Sequence, residues 1–428
     1  MNKGRSVSSN SQGMKMSDPF KPEASKNVNF IGHTDQAGRS DGCQVMVSGN
    51  YAYVCNGFSA GVTVIDVHNP RDPKPVNFLP CHPKSWSPHC QSHGNLLLVV
   101  EEFNFYLVFD TEEKYYGGSQ AGIHSSQFGT RGQDYSAGLR VYDISDPANP
   151  RAIGFMDMEG LGFHRVWWVG DRYVYASAFL DGYSDHILMV IDLLDPTKPV
   201  EVGRWWIPGM WRDGGETHDW PGRVALHHAV VADDVAYGSW RDGGLTLLDV
   251  KDKAHPKLIS HRNWCPPFAG GTHSALPLHD RGLVIVADEA VRNIDVEPLK
   301  YTWVIDIRAP QNPVNIATMP TPSEQDYFKK PGHFGPHNLW ENRPEGYQSS
   351  RYIFATYQNA GLRVFDIANP FRPEEVGWFV PQPPAKMMDI RPNIIPQLHS
   401  ADVYVAKNGL GYLSDFNAGL YIVEIEGV

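Results

Sequence analysis

The sequence has no apolar run near the roughly 20 residues a membrane-spanning helix needs, no block of Lys or Arg, and no CxxC pair. Acidic residues outnumber basic ones, 48 to 37, for a formal net charge of -11. A chain of that charge without a basic cluster is poorly suited to nucleic acid or an anionic membrane. The five cysteines (Cys43, Cys55, Cys81, Cys90 and Cys265) are odd in number, which fits a reducing compartment better than a disulfide framework. The first 25 residues lack the apolar segment of a secretory signal, so a cytoplasmic location is expected. Also missing are a Walker A loop, a GxSxG elbow, an HExxH helix and any convincing amphipathic helix. Turn formers are abundant instead. The 40 Gly and 33 Pro among 428 residues imply many short strands joined by tight turns.

One phrase recurs along the chain: an apolar strand, an acid, an aliphatic residue and a Pro-rich turn. It reads GVTVIDVHNPRDPKPVNFL from Gly61, GLRVYDISDPANPRAIGF from Gly138 and HILMVIDLLDPTKPVEVGR from His186. Further copies start at Gly244, Tyr301 and Gly361, and a shortened one at Gly419. The acid falls in register at Asp66, Asp143, Asp192, Asp249, Asp306, Asp366 and Glu424. A second strand pair precedes each copy, as in QVMVSGNYAYVCNG from Gln44. Four strands repeated seven times predict an all-β, seven-bladed β-propeller, a ring that leaves only short protected edges. The last copy stops one strand short, and NVNFIGH from Asn27 resembles the missing outer strand. The predicted organisation is therefore a disordered arm over 1–26 and a propeller over 27–428, with the N-terminal strand closing the last blade.

The copies VTVIDV, LMVIDL and TWVIDI resemble the LVIVD-repeat family, and the resemblance runs through residues 27–428. It implies a β-propeller and leaves activity to whatever site the scaffold carries.

A histidine opens the innermost strand of six of the seven units: His89, His164, His227 or His228, His273, His337 and His399. The first unit has Cys43 and Gln44 there. Strand polarity sets these residues around one mouth of the central channel, together with the ends of the next strands: Asn56, Glu101, Glu102, Arg241, Asp288, Glu289, Gln358 and Asp415. Imidazoles crowded on an axis need a donor or a cation. The expected site is one divalent ion held by three or four of them, Fe(II) first, with Zn, Mn or Cu as alternatives. Register favours His227 over His228. Glu101 and Glu289 are the expected carboxylates for orienting ligands or moving protons. The ligand set is similar to that of the carotenoid-cleavage oxygenases, a likeness of ligands without any sequence match. A second reading makes the histidines blade-locking groups bonded to turn acids, in a scaffold without catalysis.

Long insertions gather at the same mouth, at 111–136, 206–222, 320–335 and 377–397, and long loops on one end of a scaffold carry function. Trp206, Trp211, Phe334 and Met387 are expected to line a pocket for an apolar or aromatic small molecule. His124, His218 and His333 also lie on these loops, and His218 is the candidate acid or base among them. The functional expectation is a metal-dependent enzyme, with oxidative cleavage of the dioxygenase type first and a lyase, hydrolase or isomerase second. No nucleic acid or membrane partner is expected, and a homo-oligomer is compatible with the sequence.

Overall fold

The structure is a computed structural model and describes residues 21–105, 134–291, 297–389 and 396–428. Within these residues regular structure is β-strand, apart from short 3-10 turns such as His279–Arg281. The strands form propeller-like antiparallel sheets built in chain order. In the first complete one, Gly42–Ser48, Tyr51–Asn56, Gly61–Asp66 and Lys74–Pro80 pair in that sequence. Two larger sheets each join two such meanders, through Gly162 opposite Glu102 and through Arg241 opposite Thr272.

The repeated acid has a local task. Asp66, Asp143, Asp192, Asp249, Asp306 and Asp366 each accept the backbone N–H two residues on, at 2.8–2.9 Å. This Asx turn ends the third strand of the unit and starts the Pro-rich corner. The glycine that opens that strand is equally constrained. Gly361 sits at φ 77°, and a Cβ there would overlap the carbonyl oxygen of Phe379 on the next strand. The inner strands are buried along almost their whole length, whereas outer strands such as Arg151–Asp157 are partly exposed. The core therefore lies between adjacent sheets, where Val, Ile, Leu and aromatic side chains interdigitate.

The chain ends meet as the repeat predicts. Val28–Thr34 pairs with Gly419–Ile425 at the outer edge of the C-terminal sheet. The expected boundary of the arm is corrected. Ala24–Lys26 adds a further strand beside Glu374–Val380, and Glu23 pairs with Lys330, so order begins before residue 27.

Gly361→Ala is expected to cost about 2 kcal/mol or more, because it combines left-handed strain with the Phe379 overlap. Gly38, at φ 81° with open space around it, isolates the strain alone. Denaturant titration should show the Gly361 variant losing at least about twice what Gly38→Ala loses.

Candidate metal centre

The inner strands are irregular where the chemistry sits. The pairing register shifts between Phe163 and Arg165, between Val224 and His228, between Thr272 and Ser274, and between Gly42 and Gln44. His164, His227, His273 and Cys43 fall inside these shifts. A bulge of this kind re-aims a side chain that regular pleating would send into the sheet packing. The imidazoles of His164, His227, His273, His337 and His399 consequently face one cavity of about 590 Å³, open solvent included. Cys43, Arg165, Arg241 and Glu289 share its wall with Trp86, Phe105 and Phe416. The rings stand in sequence around it. His164 and His227 have centroids 4.9 Å apart, His227 and His273 stack at 3.5 Å, His273 and His337 lie at 4.5 Å, and His337 and His399 at 5.8 Å.

Hydrogen bonds decide which nitrogen of each ring carries its proton. His227 Nδ1 donates to the carbonyl of His273 at 2.7 Å, and His337 Nδ1 donates to the carbonyl of Ala401. His164 Nδ1 lies 2.8 Å from Glu102 Oε2. Burial opposes ionisation of Glu102, but His164 and His186 outweigh it and hold the carboxyl at about 2, so it accepts. Burial also holds His164 down to about 4 and His227 well below the ordinary imidazole value, in the latter case aided by His273 and Arg241. At neutral pH the His164 and His227 rings each have one proton, already donated from Nδ1. The Nε2 atoms of His164 and His227, 3.1 Å apart, are then two lone pairs aimed at each other. That contact is unfavourable unless a cation lies between or beside them.

Behind His164 stands a dry polar chain. Glu102 Oε1 meets His186 Nε2 at 2.6 Å, and Asp185 Oδ1 meets His186 Nδ1 at 2.7 Å. Arg223 clamps Asp185 through two nitrogens, at 2.8 and 3.0 Å. Burial disfavours a charged His186, but Glu102 and Asp185 overcome it and raise its affinity for a proton. Trp86 Nε1 adds a 3.0 Å bond to Glu102. Such outer partners fix the tautomer and orientation of a ligating imidazole. Across the cavity Glu289 lies 3.5 Å from His273 Nε2 and 3.3 Å from His337 Nε2, and it pairs with Arg241. Burial opposes its charge, yet Arg241, His273 and His337 hold Glu289 well below the usual carboxylate range. Among the described residues, two groups have ligand atoms mutually within 4.8 Å: Glu102, His164 and His186, and His273, Glu289 and His337. Cys43 is no thiolate, since burial pushes it well up and its Sγ donates to the Cys55 carbonyl at 3.2 Å.

The remaining predicted residues lie elsewhere. His89 and His228 are buried 5.6 Å from one another, outside the cavity lining, and His228 Nε2 bonds Glu341 at 2.8 Å. Glu101 turns away to Arg140, and its neighbour Glu102 takes the inward place. His218 stacks on Trp220 at 3.9 Å and bonds Arg212 at 2.8 Å. The aromatic lid is corrected as well. Trp206 packs on Tyr183 and bonds Glu216, and Trp211 is 41% exposed against Trp206. Phe334 is buried on Tyr327 and Phe328, and Met387 accepts the N–H of Gln397. None of the four lines the cavity. Glu216 closes the 206–222 loop on itself through Gly209 and Trp211 N–H groups, which is why its indoles stay off the channel. His124, Ile394 and Ile395 lie outside the described residues. His186 and Arg165 are the residues the sequence reading did not select, and Glu102, placed at the mouth by strand polarity, takes the role expected of Glu101.

The model of the LVIVD repeat matches residues 40–76, 134–157 and 349–380. These three stretches resemble the LVIVD repeat. The matched stretches hold the Asp66, Asp143 and Asp366 turns described above. The chain is also similar in fold to Sqt1 of Saccharomyces cerevisiae, with 10% identity, 94% of this chain and 100% of that one covered, and a TM-score of 0.54. It is similar to the periplasmic gluconolactonase PpgL of Pseudomonas aeruginosa at 11% identity, over 94% and 100% of the two chains, with a TM-score of 0.53. No curated protein matches the sequence significantly.

Glu102→Ala should strand His164, His186 and the Trp86 indole without their acceptor. Breaking such a buried network costs about 3–5 kcal/mol, read as a lower denaturant midpoint with an unchanged slope. A loss below about 1 kcal/mol would contradict the geometry described.

Proposed function

We propose that the seven repeats form seven blades around one axis, and that the imidazoles at its mouth hold one divalent metal ion in an enzyme acting on a small molecule. The observation carrying this reading is the facing pair of Nε2 lone pairs on His164 and His227, in rings whose Nδ1 protons are already engaged. His337 lines the same cavity with its Nε2 3.3 Å from Glu289, and His273 stacks beside His227. Neutral imidazoles without a thiolate suit Fe(II), Zn, Mn or Cu.

A bound ion would supply Lewis acidity or, if it is iron or copper, redox chemistry. The chain's own groups favour the first. Glu289 is ionised inside the cavity and is the carboxylate placed to accept a hydrogen bond from, and so orient, a water or substrate at the mouth. Arg241, paired with Glu289, carries the charge that steadies an oxyanion as it develops. Trp86, Phe105 and Phe416 exclude water from one side and offer an apolar wall to the substrate. Hydrolysis or another Lewis-acid reaction is accordingly the leading chemistry. Oxidative cleavage is the second reading, favoured by the all-imidazole set, which leaves iron free of anionic first ligands.

Elemental analysis of protein purified without an affinity tag and without chelator should find about one divalent ion per chain. His227→Ala and His337→Ala should each remove most of it while keeping the melting temperature within a few degrees. Bound iron together with oxygen consumption would select the oxidative reading, and zinc or manganese the Lewis-acid one. Wild-type protein that neither retains nor takes up any of these ions would end both.

A further inference from the structure

Arg165 is the one cavity residue whose charge the described network leaves unspent. It is 6% exposed, lies on the cavity wall, and forms no ion pair among the described residues. Its Nη2 donates to Asn338 Oδ1 at 3.0 Å, while its buried Nε has no hydrogen-bond partner. A guanidinium deprived of water and left with an unused donor is costly, and an oxyanion is the partner its fork fits best.

Its position is central. It follows His164 directly in the strand Gly160–Trp167 and shares the cavity wall with His227, His273 and Glu289. The carboxylates that feel it are engaged elsewhere. Glu341 serves His228 and Gln91, Asp402 accepts the Val45 N–H at 3.2 Å, and Glu289 is paired with Arg241. The cavity therefore combines one guanidinium without a direct ion pair among the described residues with the aromatic surfaces of Trp86, Phe105 and Phe416.

We infer that Arg165 is an anion anchor at the floor of the cavity and that the substrate is a small carboxylate with an apolar or aromatic body. The inference rests on the reading of this cavity as a catalytic site and adds the substrate class. A monoanion matches the single unspent guanidinium, and the carboxylate would fill the vacant Nε donor while the body lies on the aromatic wall. The cavity wall itself, not the loop tryptophans, pairs aromatic surface with positive charge.

Isothermal titration of the full chain with benzoate and with benzyl alcohol tests this, because the two differ in the charged group alone. Benzoate should bind at least about tenfold more tightly than benzyl alcohol, and inorganic phosphate should bind more weakly than benzoate. The preference should persist in chelator-treated protein, since the anchor is Arg165. Arg165→Met should abolish the preference while Arg165→Lys keeps part of it, with metal content unchanged in both. Equal affinity for benzoate and benzyl alcohol in the wild type, a preference for phosphate, or an undiminished preference in a folded Arg165→Met variant would each overturn the inference. Should Arg165→Met not fold, the wild-type comparison with and without metal decides. A chain that binds no ion yet keeps the preference removes the metal reading and leaves the anchor standing. A metal-loaded chain without the preference does the reverse.

Discussion

Two imidazole nitrogens 3.1 Å apart, each with its proton committed on the far side of its ring, set the terms for the rest of this molecule. The commitment is made by groups that cannot give a proton back: the His273 carbonyl for His227 and the ionised Glu102 for His164. Without those acceptors the rings would turn, share a proton and become an ordinary hydrogen-bonded pair. With them, the pair is an electron-rich gap that favours a cation. The outer chain of Glu102, His186, Asp185 and Arg223 is best understood as the apparatus that keeps His164 in that tautomer.

The fold contributes by making these positions equivalent. In the inner strands that carry Cys43, His164, His227 and His273, a register shift at or beside the first residues turns that side chain out of the sheet and toward the cavity. The Asx turns at the opposite end of the unit repeat without regard to the site, so the scaffold and the chemistry are built from separate residues. Cys43 illustrates the separation. It occupies the same bulged position as the histidines, yet its buried thiol stays protonated and bonds backbone carbonyls.

Much of this was legible in the sequence because the repeat carries its own register. Once the strand-ending acids are aligned, the histidines fall at the start of inner strands, and the closing strand at Val28–Thr34 follows from the shortened last copy. The errors are local. Alternation along a strand sends Glu101 to Arg140 and Glu102 to His164, a difference of one residue that the sequence pattern does not resolve. The same alternation separates His227, at the mouth, from His228, beside Glu341. Arg165 is the opposite case. Regular pleating would send it away from its neighbour His164, but the shift between Phe163 and Arg165 lets both reach the cavity. His186 opens a repeat copy and reads there as one more variant of the phrase. The loop tryptophans mislead because Glu216, one residue of their own insertion, gathers them into a closed loop.

The central claim is that the gap between the imidazoles belongs to a metal ion, and anomalous diffraction tests it most directly. Crystals of protein prepared without chelator should be measured on both sides of the absorption edges of iron, copper, zinc and manganese. The account predicts a single anomalous peak in the cavity, within bonding distance of Nε2 of His164, His227 and at least one of His273 and His337. Fully occupied, well-ordered rings with no such peak, and with a proton or a water joining His164 to His227, would contradict it.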